Sequence, residues 1–324
     1  MNISYVITVY NKAPYIADVI HSLASEYQQT PEHLEYIFVD DGSSDDSVHQ
    51  IQALQEELPG EVIIIEQENQ GAAIATNVGV AHAKYEWVRL LDGDDIPTKN
   101  STEAMYNAAI TEKVDFVIGS SGYFTQSDDV VSQMTKTNAN GYVVMSQDEA
   151  LDRFIKGFSH NSSCMLVNKN FFVQFGGADI RLRSPDYTMA LRATAHSEKI
   201  VRMTQNVTLT IDEAPGRLSS QIARSRYDSI CAIYYLAHEL LPARTDVAKA
   251  VYKRASSRSS RYARALNNRP LKHFFRYVCS KLFLPRNLKA ATYQCLSAYT
   301  PDGQPERPKE WQPKDKKNPP MHNA

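Results

Sequence analysis

Over the first hundred positions, apolar residues fall in short runs separated by stretches with a helical period. Ile3–Val9, Tyr36–Val39, Val62–Ile65 and Trp87–Leu91 read as strands. Between them, Ala13–Glu26 places Ile16, Val19, Ile20 and Leu23 at helical spacing. Asp45–Leu58 and Gly71–Ala83 read as further helices, the first with Ser43 or Ser44 as its N-cap. Strand and helix therefore alternate, which predicts a parallel sheet covered by helices. In such sheets ligands bind beyond the carboxyl ends of the strands, so the polar residues that follow each strand matter most.

After about residue 100 the pattern is less regular. Phe116–Ile118, Met165–Val167 and Val207–Ile211 read as strands, and Leu151–Phe158, Tyr187–Ser197 and Ser220–Leu240 as helices. Pro242 begins a basic region that reads as two helices parted at Pro270. Residues 301–324 hold six prolines and few apolar side chains, the composition of an extended or disordered tail.

The 324 residues suffice for about two domains, or for one with a large appendage. The net charge of −2 hides an asymmetry: residues 1–243 carry −15, residues 244–289 carry +12 and the remainder +1. An acidic body joined to a basic segment implies different partners for the two. The four cysteines form no CxxC pair or dense framework, as expected of reduced thiols in a cytosolic protein. The N-terminus lacks the basic-then-apolar pattern of a secretory leader, and no apolar run approaches a membrane span. Asn-x-Ser/Thr triplets such as Asn161-Ser162-Ser163 then carry little meaning as glycosylation sites.

Four polar clusters follow strands at what should be one sheet edge: Thr8-Val9-Tyr10-Asn11, Asp40-Asp41-Gly42-Ser43, Asn69-Gln70-Gly71 and Asp92-Gly93-Asp94-Asp95. Singly, each has a plain reading as a helix cap or turn. Together they mark a site. Three carboxylates within four residues at 92–95 repel one another unless a cation sits among them, and hard ions such as Mg²⁺ or Mn²⁺ bridge carboxylates to substrate phosphates. HExxH, GxxxxGK[ST] and GxGxxG patterns are all missing from the sequence, so zinc hydrolysis, P-loop and dinucleotide chemistry have no support.

The blocks ITVYNKAPYI, IFVDDGSSDDS, ENQGAAIATNVGVAHA, WVRLLDGDD and FFVQFGGADIRLRSPDYTMALR resemble, in order and at typical separation, the family 2 inverting glycosyltransferases of the GT-A fold. The resemblance covers roughly residues 1–215. It implies an α/β, GT-A-like nucleotide-diphosphosugar transferase fold, a mostly parallel sheet flanked by helices, followed by a basic helical extension over 216–300 and the tail 301–324. It further implies that Thr8 and Tyr10 line the nucleotide base pocket and that Asp41, with Asp40 beside it, accepts from the uracil N3–H. Gly71 would let the backbone pass close to the nucleotide, and Asn77 would belong to the same subsite. Asp94 would be the direct ligand of a divalent metal, Mn²⁺ or Mg²⁺, with Asp92 towards the ribose or a metal-bound water. Asp186 occupies the general-base position. The sequence departs from the family pattern at Thr76, where many relatives have Arg, and at Pro185, where many have Glu. A late His ligand is also missing, with Asp212 and Glu213 as weak substitutes.

Other residues keep two readings. Asp179 is structural or, as a minority reading, the true base; His160 touches acceptor or is a surface-loop residue; Arg217 reaches the diphosphate or is solvated. The implied reaction moves a sugar from a nucleotide-diphosphate donor, expected to be a UDP-sugar, to a glycan or lipid-linked acceptor in surface polysaccharide synthesis. The rival reading is a non-catalytic sugar-nucleotide-binding or scaffold protein that keeps the fold. In the basic segment, Leu271, Phe274, Phe275, Val278 and Leu282 form one apolar stripe flanked by Lys272, Arg276 and Lys281. Such a helix either lies on an anionic membrane surface or packs on its own catalytic domain. Nucleic acid is a weaker candidate partner against an acidic body. The expected location is cytoplasmic, with peripheral attachment to the inner membrane face as its membrane-bound form.

Overall fold

Ile3, Tyr5, Val6 and Ile7 are fully buried, as are Tyr36, Ile37, Phe38 and Val39. Continuous apolar runs of this kind belong to strands covered on both faces. A computed structural model of the chain describes residues 1–29, 31, 33–124, 132, 134, 141–182, 185–211, 222–265 and 269–299. Arg217, Asp212, Glu213 and the tail 301–324 lie outside the described residues.

The strands are β1 (Asn2–Val9), β2 (His33–Asp40), β3 (Glu61–Glu66), β4 (Trp87–Asp92), β5 (Asp95–Pro97), β6 (Phe116–Phe124), β7 (Tyr142–Ser146), β8 (Met165–Asn168) and β9 (Lys199–Ile211). They form one sheet in the order β3-β2-β1-β4-β8-β6-β9-β5, with β7 also paired to β9. β3, β2, β1 and β4 are mutually parallel. β8 is antiparallel to both β4 and β6, while β6 and β9 run parallel through a register irregularity. The mostly parallel sheet flanked by helices is thus observed, with a mixed second half.

Register explains why the polar clusters meet. Thr8 pairs with Asp92, Val9 with Asp40, and Asp40 with Glu66. The ladder continues past the strand ends: the amides of Asp41, Gln67 and Gly93 donate to the carbonyls of Val9, Asp40 and Thr8 at 2.8–2.9 Å. The loops after β1, β2, β3 and β4 are therefore tied together at one edge.

The sheet's two halves are stitched by Arg89 on β4, which is fully buried. Its guanidinium donates to the carbonyls of Ser163, Met165 and Val207 and to the hydroxyls of Thr102 and Thr208. A buried cation is tolerated only when its donors find acceptors, and here β8, β9, the turn at Ser163 and the helix at Thr102 supply them.

Several elements differ from the sequence reading. The expected helix Asp45–Leu58 is a helix over Ser47–Leu54 and a short 3₁₀ turn, and neither Ser43 nor Ser44 caps it. Those serines instead bond Asn11: the Asn11 amide donates to Ser43 Oγ, and the Ser44 amide to Asn11 Oδ1. The helix expected from Leu151 begins at Gln147, because Ser146 and Glu149 form a capping box. The expected helix Tyr187–Ser197 is Pro185–His196. Pro270 opens the second basic helix, Pro270–Leu282, at a first-turn position where its missing N–H costs nothing. The first basic helix, Thr245–Ala265, packs against Gln147–Lys156, and Arg244 bonds Asp148 at 2.8 Å. Among the described residues no helix is long and apolar enough to cross a membrane.

Candidate active site

The site is built at the carboxyl edge of β1, β2 and β4. Asp92 is the last residue of β4, and its Oδ1 accepts from Ser162 Oγ at 2.8 Å and from Thr8 Oγ1 at 3.3 Å. Its backbone amide donates to Ser163 Oγ, which in turn donates to Asp95 Oδ2 at 2.6 Å. Asp95 is also held by Asn161, so its carboxylate is turned into the structure by side-chain donors. Asp94 is buried and pairs with Lys12 Nζ at 2.5 Å.

The electrostatics follow from this crowding. Burial first, and then the charge of Asp94, push the Asp92 carboxyl up from its ordinary value. Burial followed by the charges of Asp92 and Asp94 raises Asp95 well above the usual carboxylate range. The Lys12 ammonium is the cation that the structure itself places against Asp94. Asp92 and Asp94 offer hard oxygen donors beside it, while no group of three or more His, Cys, Asp or Glu converges as a metal cage among the described residues. Two carboxylates suit a Mg²⁺- or Mn²⁺-type ion that draws its other ligands from substrate phosphates and water. The donor set fits such an ion on those terms only.

Asp186 stands in the first turn of helix Pro185–His196. Burial, and secondarily the charge of Asp92, raise its carboxyl to about 7. The helix thus brings a carboxyl with near-neutral affinity for protons within electrostatic reach of the β4 cluster, across about ninety positions of sequence.

The remaining expected residues divide. Tyr10 stands with 48% of its surface exposed beside the loop of Asp40 and Asp41. Asp40 accepts from the Ser43 amide through Oδ2, while its buried Oδ1 has no partner among the described residues. The Asp41 carboxylate holds the following loop in place: it accepts from Gln67 Nε2, the Gln70 amide and the Gly71 amide at 2.7–2.8 Å. Gly71 adopts φ +95°, a conformation that favours glycine, and its missing side chain leaves open space above the loop. Asn77 is drawn elsewhere. Its amide donates to the Ala178 carbonyl at 3.0 Å and accepts from the Ala178 amide at 2.9 Å, so it clamps the loop before Asp179. Asp179 is enclosed by Arg181 and Arg192 at 2.6 and 2.7 Å. It is almost fully buried, yet its hydrogen bonds from Arg181 and the charges of both arginines hold its carboxyl below the ordinary value. This is the geometry of a structural ion pair. His160 lies among Phe154 and Phe158, and burial lowers its pKa.

Sequence reasoning missed two contributors. Lys12 follows Tyr10 and Asn11 in the first block but carries no signal of its own until Asp94 is placed beside it. Asn161-Ser162-Ser163 carries little meaning as a glycosylation triplet, yet in the structure it forms the polar wall of the acidic cluster.

The sequence profile described as glycosyl transferase family 2 matches residues 4–173. The glycosyltransferase GlyG of Streptococcus pneumoniae is 28% identical over 233 residues, 70% of this chain and 74% of that protein. Among solved structures, S. aureus TarS residues 1–349 in complex with UDP-GlcNAc superposes with a TM-score of 0.63 at 16% identity, covering 92% of this chain and 80% of that one. The mannosyltransferase PcManGT of Pyrobaculum calidifontis, in complex with GDP-Man and Mn²⁺, gives a TM-score of 0.54 at 16% identity, covering 92% and 84%.

Proposed function

Because the chain belongs to glycosyl transferase family 2, we propose that it moves a sugar from a UDP-linked donor, with inversion, to a hydroxyl of a glycan or lipid-linked acceptor of surface polysaccharide synthesis. The observation that carries this reading is the place of Asp186, in the first turn of Pro185–His196 and within electrostatic reach of Asp92, where burial and then that charge raise its carboxyl to about 7. A general base works best when its pKa lies near the working pH.

The nucleotide would sit at the ends of β1 and β2. The exposed ring of Tyr10 offers a face for the base, and the unpartnered Oδ1 of Asp40 is an acceptor that a base N–H would satisfy. Asp41 would act chiefly by fixing the loop that carries Gly71, and Thr8 by orienting Asp92. Asp92 and Asp94 would hold a divalent metal, which supplies charge neutralisation to the diphosphate leaving group. Lys12 would exchange its pairing with Asp94 for the diphosphate when donor binds. Asp186 takes the proton of the acceptor hydroxyl as the new C–O bond forms at the anomeric carbon. The bond to the diphosphate oxygen breaks on the opposite face, and its electron pair leaves with UDP. A single displacement turns an α-linked donor into a β-linked product.

The acceptor class is supported by the basic extension, which would hold the enzyme beside lipid-linked material at the cytoplasmic membrane face. UDP release, followed across a panel of UDP-sugars with Mn²⁺, tests the reading. Turnover by the wild type and its loss in Asp186→Asn are expected. Tight donor binding with no release under any acceptor would instead favour the non-catalytic binding protein.

A further inference from the structure

The helix Pro270–Leu282 packs on Thr245–Ala265 with its small and polar side. His273 and Ser280 are buried there, and Arg276 bonds both the carbonyl and the side chain of Gln294 at 3.0 Å. Its apolar stripe therefore faces outward. Leu271 is 72% exposed, Phe275 64% and Leu282 71%, with Phe274 and Val278 between them. The chain leaves the helix through Phe283, 75% exposed, and Leu284. Among the described residues, seven of the twelve exposed large apolar side chains lie between 271 and 284. Scattered exposed apolar residues are ordinary, but a continuous face of them marks a contact surface.

Charge identifies what that surface meets. At 100° per residue, Lys272 and Lys281 fall on opposite flanks of the stripe. Arg264, Arg286 and Lys289 are exposed nearby. From Val247 to Tyr299 the sequence contains neither Asp nor Glu. A second copy of this chain would bring a second dense positive field against the first, so like charge opposes self-pairing through this face. A nucleic acid would satisfy the cations but leave the aliphatic side chains of Leu271, Val278, Leu282 and Leu284 in water.

We propose that this face binds an anionic phospholipid surface, with the helix parallel to the membrane plane. Phe275, Phe283 and their neighbours enter the headgroup region, and Lys272 and Lys281 lie at the level of the lipid phosphates. Cations near such a surface each strengthen binding about fivefold, an effect that salt screens, whereas apolar insertion resists salt.

The test is co-sedimentation of the full chain with vesicles of phosphatidylcholine alone or mixed with phosphatidylglycerol. The protein should sediment with the mixed vesicles, weakly with the neutral ones, and be partly released by high salt. Two double variants separate the causes: Phe275→Ser with Phe283→Ser, and Lys272→Glu with Lys281→Glu. All four positions are exposed, so circular dichroism and donor binding should stay unchanged in both. Each pair should weaken vesicle binding by at least about tenfold. Failure of the wild type to sediment would overturn the proposal, as would undiminished binding by both variants. A concentration-dependent dimer that the serine variant abolishes would overturn it in favour of a second copy.

Discussion

Burial and the nearby charge of Asp92 push Asp186 up to about 7, from which two measurable pH dependences are expected. In the proposed reaction the ionised form would be the active base, so kcat/KM should rise with pH through about 7 and then level. Asp186→Asn should remove that limb and lower turnover at least about 10²-fold. In stability the sign is opposite. The folded protein binds this proton more tightly than the unfolded chain does. Its contribution is thus fully present below the ordinary carboxylate pKa and is lost as pH rises through about 7. Asp186→Asn should therefore raise the thermal midpoint at pH 8, by a free energy on the order of 2–4 kcal/mol, and give no such gain near pH 4. Equal midpoints at both pH values would contradict the burial argument. Asp94→Ala should abolish the Mn²⁺ dependence of UDP binding in isothermal titration, and unchanged metal dependence would remove Asp94 from the ligand role. The acidic residues were legible because carboxylates crowded after a strand demand a reason. Asn77 was legible only as a position in a motif. Its bonds to Ala178 join residues about a hundred positions apart, and no local pattern reports such a contact.

At the scale of elements, close packing overrides local preference. The helix Ala72–His82 lies on β1 and β2 through Gly79, where a Cβ would come within 2.3 Å of Val6 Cγ1 and 3.1 Å of a Val39 methyl. In an open helix, Gly→Ala stabilises by about 1 kcal/mol. Here Gly79→Ala should destabilise by about 1–3 kcal/mol, because the added methyl overpacks a buried contact. Urea unfolding measures it, and a stabilised variant would show that the helix can shift away from the sheet. β1 to β4 were readable because each is a mostly apolar run, broken only by single polar residues such as Ser4 and Arg89, between helices. β9 was expected only at Val207–Ile211, yet it spans Lys199–Ile211. Arg202, Thr204, Gln205 and Asn206 break its apolar run, and β6 meets it through an irregular register. β5 and β7 are also strands that sequence did not mark. β5 is three residues long, and β7 leaves Val143 and Val144 exposed, so neither shows a core-facing pattern.

The whole molecule joins an acidic catalytic half to a basic helical extension that is also folded onto it. Helix Ile222–Tyr235 packs on Pro185–His196, Arg181 reaches Glu239 at 2.9 Å, and the side of Thr245–Ala265 that includes Val251, Tyr252 and Ala255 is buried. Packing on the rest of the chain is observed for Thr245–Ala265 and for the inner side of Pro270–Leu282, and the outer apolar stripe is the face left for the proposed membrane contact. The inner helix supplies packing, and the outer helix turns its apolar stripe to solvent. Periodicity locates such a stripe but cannot say which side a neighbour covers. The proposed single displacement at the sheet edge, with Asp186 as base, has a directly observable stereochemistry. Proton NMR of the anomeric linkage in the glycoside formed from an α-linked UDP donor, Mn²⁺ and a hydroxyl acceptor, a linkage that cannot mutarotate, distinguishes the outcomes. The β anomer is expected from the wild type, with UDP release at least about 10²-fold slower from Asp186→Asn. An α anomer, or unchanged release by the variant, would contradict this mechanism.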